Sequence, residues 1–283
     1  MNSFGQDIAA GRRFEFGRNW SRFLRVLDDE RIQEATKSLQ GMLDLDRLDG
    51  LSFLDVGSGS GLFSLAARRL GARVLSFDYD PQSVSCTREI RRRYRHDDPL
   101  WAVEEASVLD VGFMASLPRF DIVYAWGSLH HTGRMWDALA LAAERVETEG
   151  VLFIMIYRDR GWASVAWRSI KRFYCSSLVG RALVLSVFVP YLVVRGLVAD
   201  LCALKNPVRR YTEYKKKRGM SRFHDMIDWL GGYPYEYATP REVIGFMESR
   251  GFALQKRRNA EYVFRKSGPG TRRSASGTSK SSA

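Results

Sequence analysis

At 283 residues and 45% hydrophobic content, the chain can hold one large domain with an insertion, or two small ones, around a buried core. Cys86, Cys175 and Cys202 are odd in number, far apart and outside any C-x-x-C arrangement, which suggests neither a disulfide framework nor a structural zinc site and points to a reducing compartment. The net charge of +12 looks like a nucleic-acid signature, but residues 158–222 hold 15 Lys and Arg against 3 Asp and Glu, so one segment carries the whole excess.

Residues 1–50 begin without the apolar stretch of a secretory signal, so a cytoplasmic location is expected. They continue F-E-F-G-R-N-W-S-R-F-L and then a helical pattern in which Ile32, Ala35, Leu39, Met42 and Leu43 recur at three or four residues. We expect a helical cap ahead of the main domain, its aromatics Phe14, Phe16, Trp20 and Phe23 serving packing more than substrate contact.

The stretch that follows, S-F-L-D-V-G-S-G-S-G-L from Ser52 to Leu62, reads as strand, tight turn and helix start. Gly57, Gly59 and Gly61 suit a turn whose backbone approaches a ligand with no Cβ in the way, beside the free N–H groups of a helix N-terminus. Dinucleotide sites favour G-x-G-x-x-G, but here the third glycine comes one residue early and an acid, Asp55, precedes the first by two. No Lys-Ser/Thr follows the loop, which excludes a P-loop. The next strand, 72–77, ends in Asp78-Tyr79-Asp80-Pro81. An acid about 20 residues past such a loop can accept hydrogen bonds from ribose hydroxyls. We assign that role to Asp78 and the capping of the helix opening at Pro81 to Asp80.

From Leu51 to Ile156 strands alternate with helices: helix 62–70, helix 81–95, a short strand at 102–106, strand 120–125, helix 135–146 and strand 151–156. This predicts an α/β fold, a parallel sheet with helices on both faces and ligands at the strands' carboxyl ends. The glycine loop, Asp78, Ser107 and Trp126 fall at such ends. The alternation stops after Ile156 and returns with a capped helix at Thr239 and strands 253–257 and 262–265, so residues 158–238 read as an insertion.

D-x-G-x-G-x-G, from Asp55 to Gly61, resembles motif I of class I S-adenosylmethionine-dependent methyltransferases. F-G-R-N-W, L-H-H-T-G and D-W-L-G-G-Y-P also look like bacterial members compared with ubiquinone-biosynthesis O-methyltransferases. The resemblance implies a Rossmann-like seven-stranded sheet and S-adenosylmethionine as cofactor. It places the methionine moiety over Gly57, Gly59 and Gly61, its ammonium near Asp55, the ribose at Asp78, and the adenine against Ser107 and Val108; Tyr79 and Trp126, at strand ends, are further cofactor-site candidates. It implies no metal. Where base-directed members carry a proline-rich clamp after strand four, this chain has Ala125-Trp126-Gly127-Ser128, which argues against base N-methylation. His131, more than His130, is a candidate general base for an attacking hydroxyl. It can equally line the pocket without titrating, because methyl transfer from a sulfonium gains much of its rate from alignment alone.

Within the insertion, Ala182 to Val194 is uncharged but shorter than the ~20 residues that cross a bilayer, and Pro190 is expected to bend or break its helix. Flanking cations between 171 and 218, from Lys171 to the Lys215–Arg218 run, suit an anionic membrane surface; a buried helix with a basic rim fits the pattern as well. Tyr233-Pro234-Tyr235-Glu236-Tyr237 forms a pocket wall or packs the insertion on the sheet. Residues 267–283, poor in apolar side chains, are expected to be disordered.

We therefore expect a cap at 1–50, a methyltransferase domain at 51–266 and the tail. The expected activity is O-methylation of a small-molecule or lipid- or glycan-linked acceptor at the inner membrane face. An RNA methyltransferase holding phosphates with the basic insertion, and a non-catalytic binding module on the same fold, are the alternatives.

Overall fold

The computed structural model of the chain describes residues 3–96, 98–208, 226 and 229–268. The expected disordered tail from 269 on and the Lys215–Arg218 run lie outside these residues.

Seven strands form one sheet in the order β3-β2-β1-β4-β5-β7-β6. They are β1 (Ser52–Val56), β2 (Arg73–Asp78), β3 (Trp101–Glu105), β4 (Phe120–Trp126), β5 (Val146–Met155), β6 (Phe252–Arg258) and β7 (Glu261–Lys266). β7 runs antiparallel to both its neighbours, and the other pairings are parallel. This is the Rossmann-like α/β sheet that the alternation and the resemblance implied.

Both sheet faces are covered, and the period of two in the strands divides the core accordingly. Leu54 and Val56 of β1, with Val123 and Ala125 of β4, face α7 (Met135–Glu144) and α10 (Pro240–Glu248). Phe53, Ile122 and Tyr124 face the other way, toward α3 (Asp29–Leu43), α4 (Leu62–Arg69) and α5 (Pro81–Arg95). The chain winds outward from β1 to β3 and then returns to lay β4 on the other side of β1. That reversal makes the carboxyl ends of β1 and β4 the switch point of the sheet, the usual ligand position in such folds.

Local chemistry sets several boundaries. Asp80 caps α5 by accepting from the Gln82 N–H, with Pro81 in the first turn. Thr239 and Glu242 form a reciprocal capping box on α10. β5 starts at Val146, five residues before its expected start, because Phe120 pairs with Val146 and Ile122 with Val151, looping out the residues between them around Glu149 at φ +61°. A short helix, α6 (Val111–Ser116), was not foreseen.

The expected cap at 1–50 divides. α3 buries Ile32, Leu39 and Met42 in the main core and belongs to the sheet domain. α1 (Ser3–Ala9) and α2 (Gly17–Phe23) instead approach the strand ends. The insertion opens with a helical hairpin, α8 (Trp162–Ser176) and α9 (Leu178–Cys202). Contrary to expectation, α9 runs through Pro190. The proline frees only the Ser186 carbonyl, and both residues are exposed, so water can satisfy it. A small third core of Phe14, Tyr174, Val184 and Leu230 joins the N-terminal segment to the insertion.

Candidate active site

The glycine loop is held from behind by β2: the N–H groups of Gly57 and Ser58 both donate to the Phe77 carbonyl, at 2.9 and 3.1 Å. Gly59 sits at φ +55°, a conformation that favours glycine, and a Cβ there would lie 3.0 Å from Trp20 Nε1. The indole of α2 therefore rests on the loop. α2 is positioned by its first residue, whose N–H donates to Asp80 Oδ2 at 2.7 Å.

Asp78 lies at the end of β2, where its Oδ2 accepts from Gly59 N–H at 2.8 Å and its Oδ1 from Asp80 N–H at 2.9 Å. Burial, only partly offset by these hydrogen bonds, pushes its carboxyl up to about 6. Asp55 is different in kind. It is 2% exposed and faces the interior, accepting from Ser64 Oγ at 2.5 Å, and burial pushes it up to about 7. Ser64, Ser76 and the Trp101 indole N–H continue this buried chain at 2.7 and 2.8 Å. Asp55 thus braces α4 against β1 behind the loop.

The other expected cofactor residues are dispersed. Tyr79 donates to Asp7 at 3.2 Å and lies edge-on to Phe4, in contact with α1. Ser107 Oγ accepts from Leu109 N–H at 3.1 Å in the turn after β3, and Val108 is buried in the core. Trp126 extends from β4 toward β7, donating to Glu261 at 2.8 Å.

On the β4 side of this switch point, His130 and His131 form a single 3-10 turn after the strand, within Leu129–His131. His131 Nδ1 is 2.6 Å from the Pro234 carbonyl, and His130 Nδ1 is 3.2 Å from that of Met155. A carbonyl only accepts, so in each neutral ring Nδ1 carries the proton and Nε2 the lone pair. Burial is the main cause that lowers both rings, His131 to about 3, so both are neutral near pH 7. His130 Nε2 is buried with no partner. Phe16 and Tyr157 flank His131 at centroid distances of 4.8 and 5.5 Å, and Tyr235 packs on Tyr157 at 5.3 Å.

Arg13, which the sequence did not single out, and Lys171, which it placed among the flanking cations, connect these halves. Arg13 donates from Nη1 to the His131 carbonyl at 2.8 Å and lies over the Tyr79 ring at 5.0 Å. Its charge is felt by Asp78, and its Nε is buried without a hydrogen bond, 3.9 Å from Asp7 Oδ2. Lys171, expected among the flanking surface cations, is instead 1% exposed. Its ammonium donates to the Trp229 carbonyl and lies over the rings of Trp229 and Tyr235 at 5.1 and 5.0 Å, with burial lowering it to about 7. Being next to Arg172 on a helix sends the two side chains to different faces, so the run of cations splits. No spacing in the sequence marks either residue; both are placed by contacts with distant segments.

The segment 229–238 closes the arrangement. It accepts from Phe14 N–H at the Tyr233 carbonyl, donates from Glu236 N–H to the His130 carbonyl, and supplies the Glu236 carboxylate to the Met135 N–H that opens α7. The segment therefore packs the insertion on the sheet and the N-terminal segment.

Residues 21–184, more than half of the chain, match a family described as methyltransferase domain. The chain is 30% identical over 144 residues to the ubiquinone biosynthesis O-methyltransferase of Rhodopseudomonas palustris, covering 51% of this chain and 52% of that one. It is 46% identical over 59 residues to the ribosomal protein L11 methyltransferase of Alteromonas mediterranea, 20% of each chain. It thus spans between a fifth and about half of the length of these curated relatives. A solved structure of magnesium protoporphyrin IX methyltransferase from Synechocystis, with bound SAM, superposes at TM-score 0.49 with 10% identity, over 83% of this chain and 79% of that one.

Proposed function

The chain belongs to the methyltransferase-domain family, and from that premise we propose that it transfers a methyl group from S-adenosylmethionine to an oxygen of a small-molecule or lipid-linked acceptor. When bound, the cofactor supplies a methyl group on a positively charged sulfur. The residues at the strand ends fit it. Asp78 has committed one lone pair of each oxygen to a backbone N–H, which leaves both oxygens able to accept from a ribose diol. Gly57, Gly59 and Gly61 all take positive φ, and a Cβ on each would meet Ser128, Trp20 and Thr87 respectively, so the glycines let the loop pack closely, and Asp55 keeps it in register with α4 through Ser64.

The observation that carries the choice of acceptor is the enclosure of His131. Phe16 from the N-terminal segment, Tyr157 after β5 and the Pro234 carbonyl surround its ring. Such an aromatic enclosure suits a compact, flat acceptor inserted edge-first and leaves little access for a folded macromolecule. His131, neutral and with its Nδ1 proton occupied by Pro234, presents Nε2 as a hydrogen-bond acceptor for the hydroxyl that is methylated. It orients the oxygen and receives the proton as the hydroxyl becomes an ether; its depressed basicity then favours passing that proton on.

Incubating the purified chain with methyl-labelled S-adenosylmethionine and a fractionated lysate tests this. Label is expected in the small-molecule or lipid fraction. Label confined to RNA or protein would overturn the acceptor class, and absence of cofactor binding would overturn the activity.

A further inference from the structure

α9 is bare where a core helix would be covered. Leu183, Val187, Tyr191, Val194, Val198 and Leu201 follow one another at steps of four, four, three, four and three, which places them on one face of the helix. Each is between 51% and 63% exposed. At about 1.5 Å per residue the stripe is roughly 27 Å long. The burial of Val184, Gly196 and Asp200 marks the faces turned inward.

The neighbouring helix continues this surface. Trp162, Val165 and Phe173 of α8 are 84%, 56% and 47% exposed. An open groove of about 370 Å³ has Ser169 and Phe173 of α8 on one wall and Leu183 and Val187 of α9 on the other, so the bare faces of the two helices meet. A contiguous apolar surface of this extent marks an interface.

Charge identifies the occupant. Arg195 follows Val194 and stands about 80° around the helix from Val187, at the margin of the stripe. Arg195, Arg172 and Lys205 are exposed. Along the sequence they belong to the stretch 158–222, which carries the chain's whole basic excess, 15 Lys and Arg against 3 Asp and Glu. Apolar side chains bordered by cations match the boundary between acyl chains and anionic headgroups.

We propose that the α8–α9 hairpin is a membrane-docking surface that lies in the plane of an anionic bilayer, with the stripe of α9 in the acyl boundary and Arg172, Arg195 and Lys205 among the phosphates. By length and composition alone α9 is also sufficient to cross a membrane. Crossing would carry Arg195 into hydrocarbon and pull α9 away from α8, to which it is linked by the single residue Ser177. α8 is fixed to the domain through buried Lys171 and Tyr174. The proposal uses no feature of the strand-end site and stands independently of the reaction.

Sedimentation of the full chain with phosphatidylcholine vesicles, with and without phosphatidylglycerol, tests it. Binding to the anionic vesicles is expected to be at least about tenfold stronger, as a few cations worth about fivefold each require. Raised salt should remove that difference and leave residual apolar binding. Arg195→Gln should weaken anionic binding about fivefold. The double variant V187D/V194D should lose binding while keeping its circular dichroism and its affinity for S-adenosylhomocysteine, which separates a lost surface from a lost fold. A carbonate wash should release the bound chain. Absence of vesicle binding, binding unchanged in V187D/V194D, retention after carbonate, or a self-association abolished by V187D/V194D without vesicle binding would each overturn the proposal.

Discussion

Replacing Asp78 by Asn keeps the shape of the side chain and removes its charge. In the native protein its oxygens accept from Gly59 at 2.8 Å and Asp80 at 2.9 Å. Asn offers one oxygen and one NH2, so one backbone N–H must face a donor, and a ribose hydroxyl loses a charged acceptor. A hydrogen bond to a charged group contributes about 1.5–3 kcal/mol, so cofactor affinity should fall roughly 10- to 100-fold. The pH dependence is more diagnostic. Burial raises Asp78 to about 6, and the ionised form is the better acceptor, so native affinity should hold above that value and fall about tenfold per unit below it. D78N should lack the fall centred near that value, leaving only what Asp55, raised to about 7, contributes. Calorimetric titration with S-adenosylhomocysteine, a product that is not consumed, from about pH 8 to about pH 5 reads both effects. Equal affinity in D78N, or a flat native profile, would reduce Asp78 to a structural tie between β2 and the glycine loop.

His131→Ala should lower kcat by about 100-fold or more while leaving S-adenosylhomocysteine affinity in place, as expected of a group that acts on the acceptor proton; steady-state kinetics within a few-fold of native would remove it from the reaction. Gly59→Ala should destabilise by at least about 1 kcal/mol from its left-handed backbone, with a further cost where the new Cβ meets Trp20. Adding Trp20→Ala should relieve the second cost and not the first, and urea unfolding of the four proteins in the cycle measures the difference. Lys171 is lowered from 10.5 to about 7, so between those values the unfolded chain binds a proton that the folded chain does not, and this residue makes stability rise with pH. Melting temperatures at neutral and alkaline pH should therefore diverge in favour of the native protein over Lys171→Met; a constant gap would show that the ammonium stays charged.

The parts of the fold that the sequence made legible are those whose causes are local. β1, the glycine turn and α4 follow one another within 18 residues, and the caps at Asp80 and Thr239 act on the helices they precede. What stayed hidden depends on contacts between distant segments. Gly59 reads as a ligand-facing position, yet the neighbour a Cβ would meet is Trp20 from 39 residues upstream. Asp55 reads as a ligand residue, whereas its carboxylate faces Ser64, because the alternation along β1 puts it on the same face as Phe53. Arg13 gains its importance only when His131 is brought to it.

α8 explains why the insertion resisted assignment and how its two roles belong together. Buried apolar helices and membrane-lying helices are both written with apolar residues beside cations, and α8 has one buried face and one bare face. Ser164, Lys171 and Tyr174 turn one face into the domain, while Trp162, Val165 and Phe173 leave another open. Summed over the sequence these faces blur into a single apolar and basic stretch; in the structure they lie on different sides of one helix only about 10–12 Å across. The inner face helps hold Trp229 and Tyr235, of which Tyr235 packs on Tyr157 beside the histidines, and the outer face is the proposed docking surface. An acceptor with an apolar tail could then keep that tail at the bilayer while its reacting oxygen approaches His131. On this reading, V187D/V194D should raise KM for a vesicle-borne acceptor and leave KM for a water-soluble, tail-less analogue unchanged, whereas a defect shared by both acceptors would place the damage in the fold of the insertion.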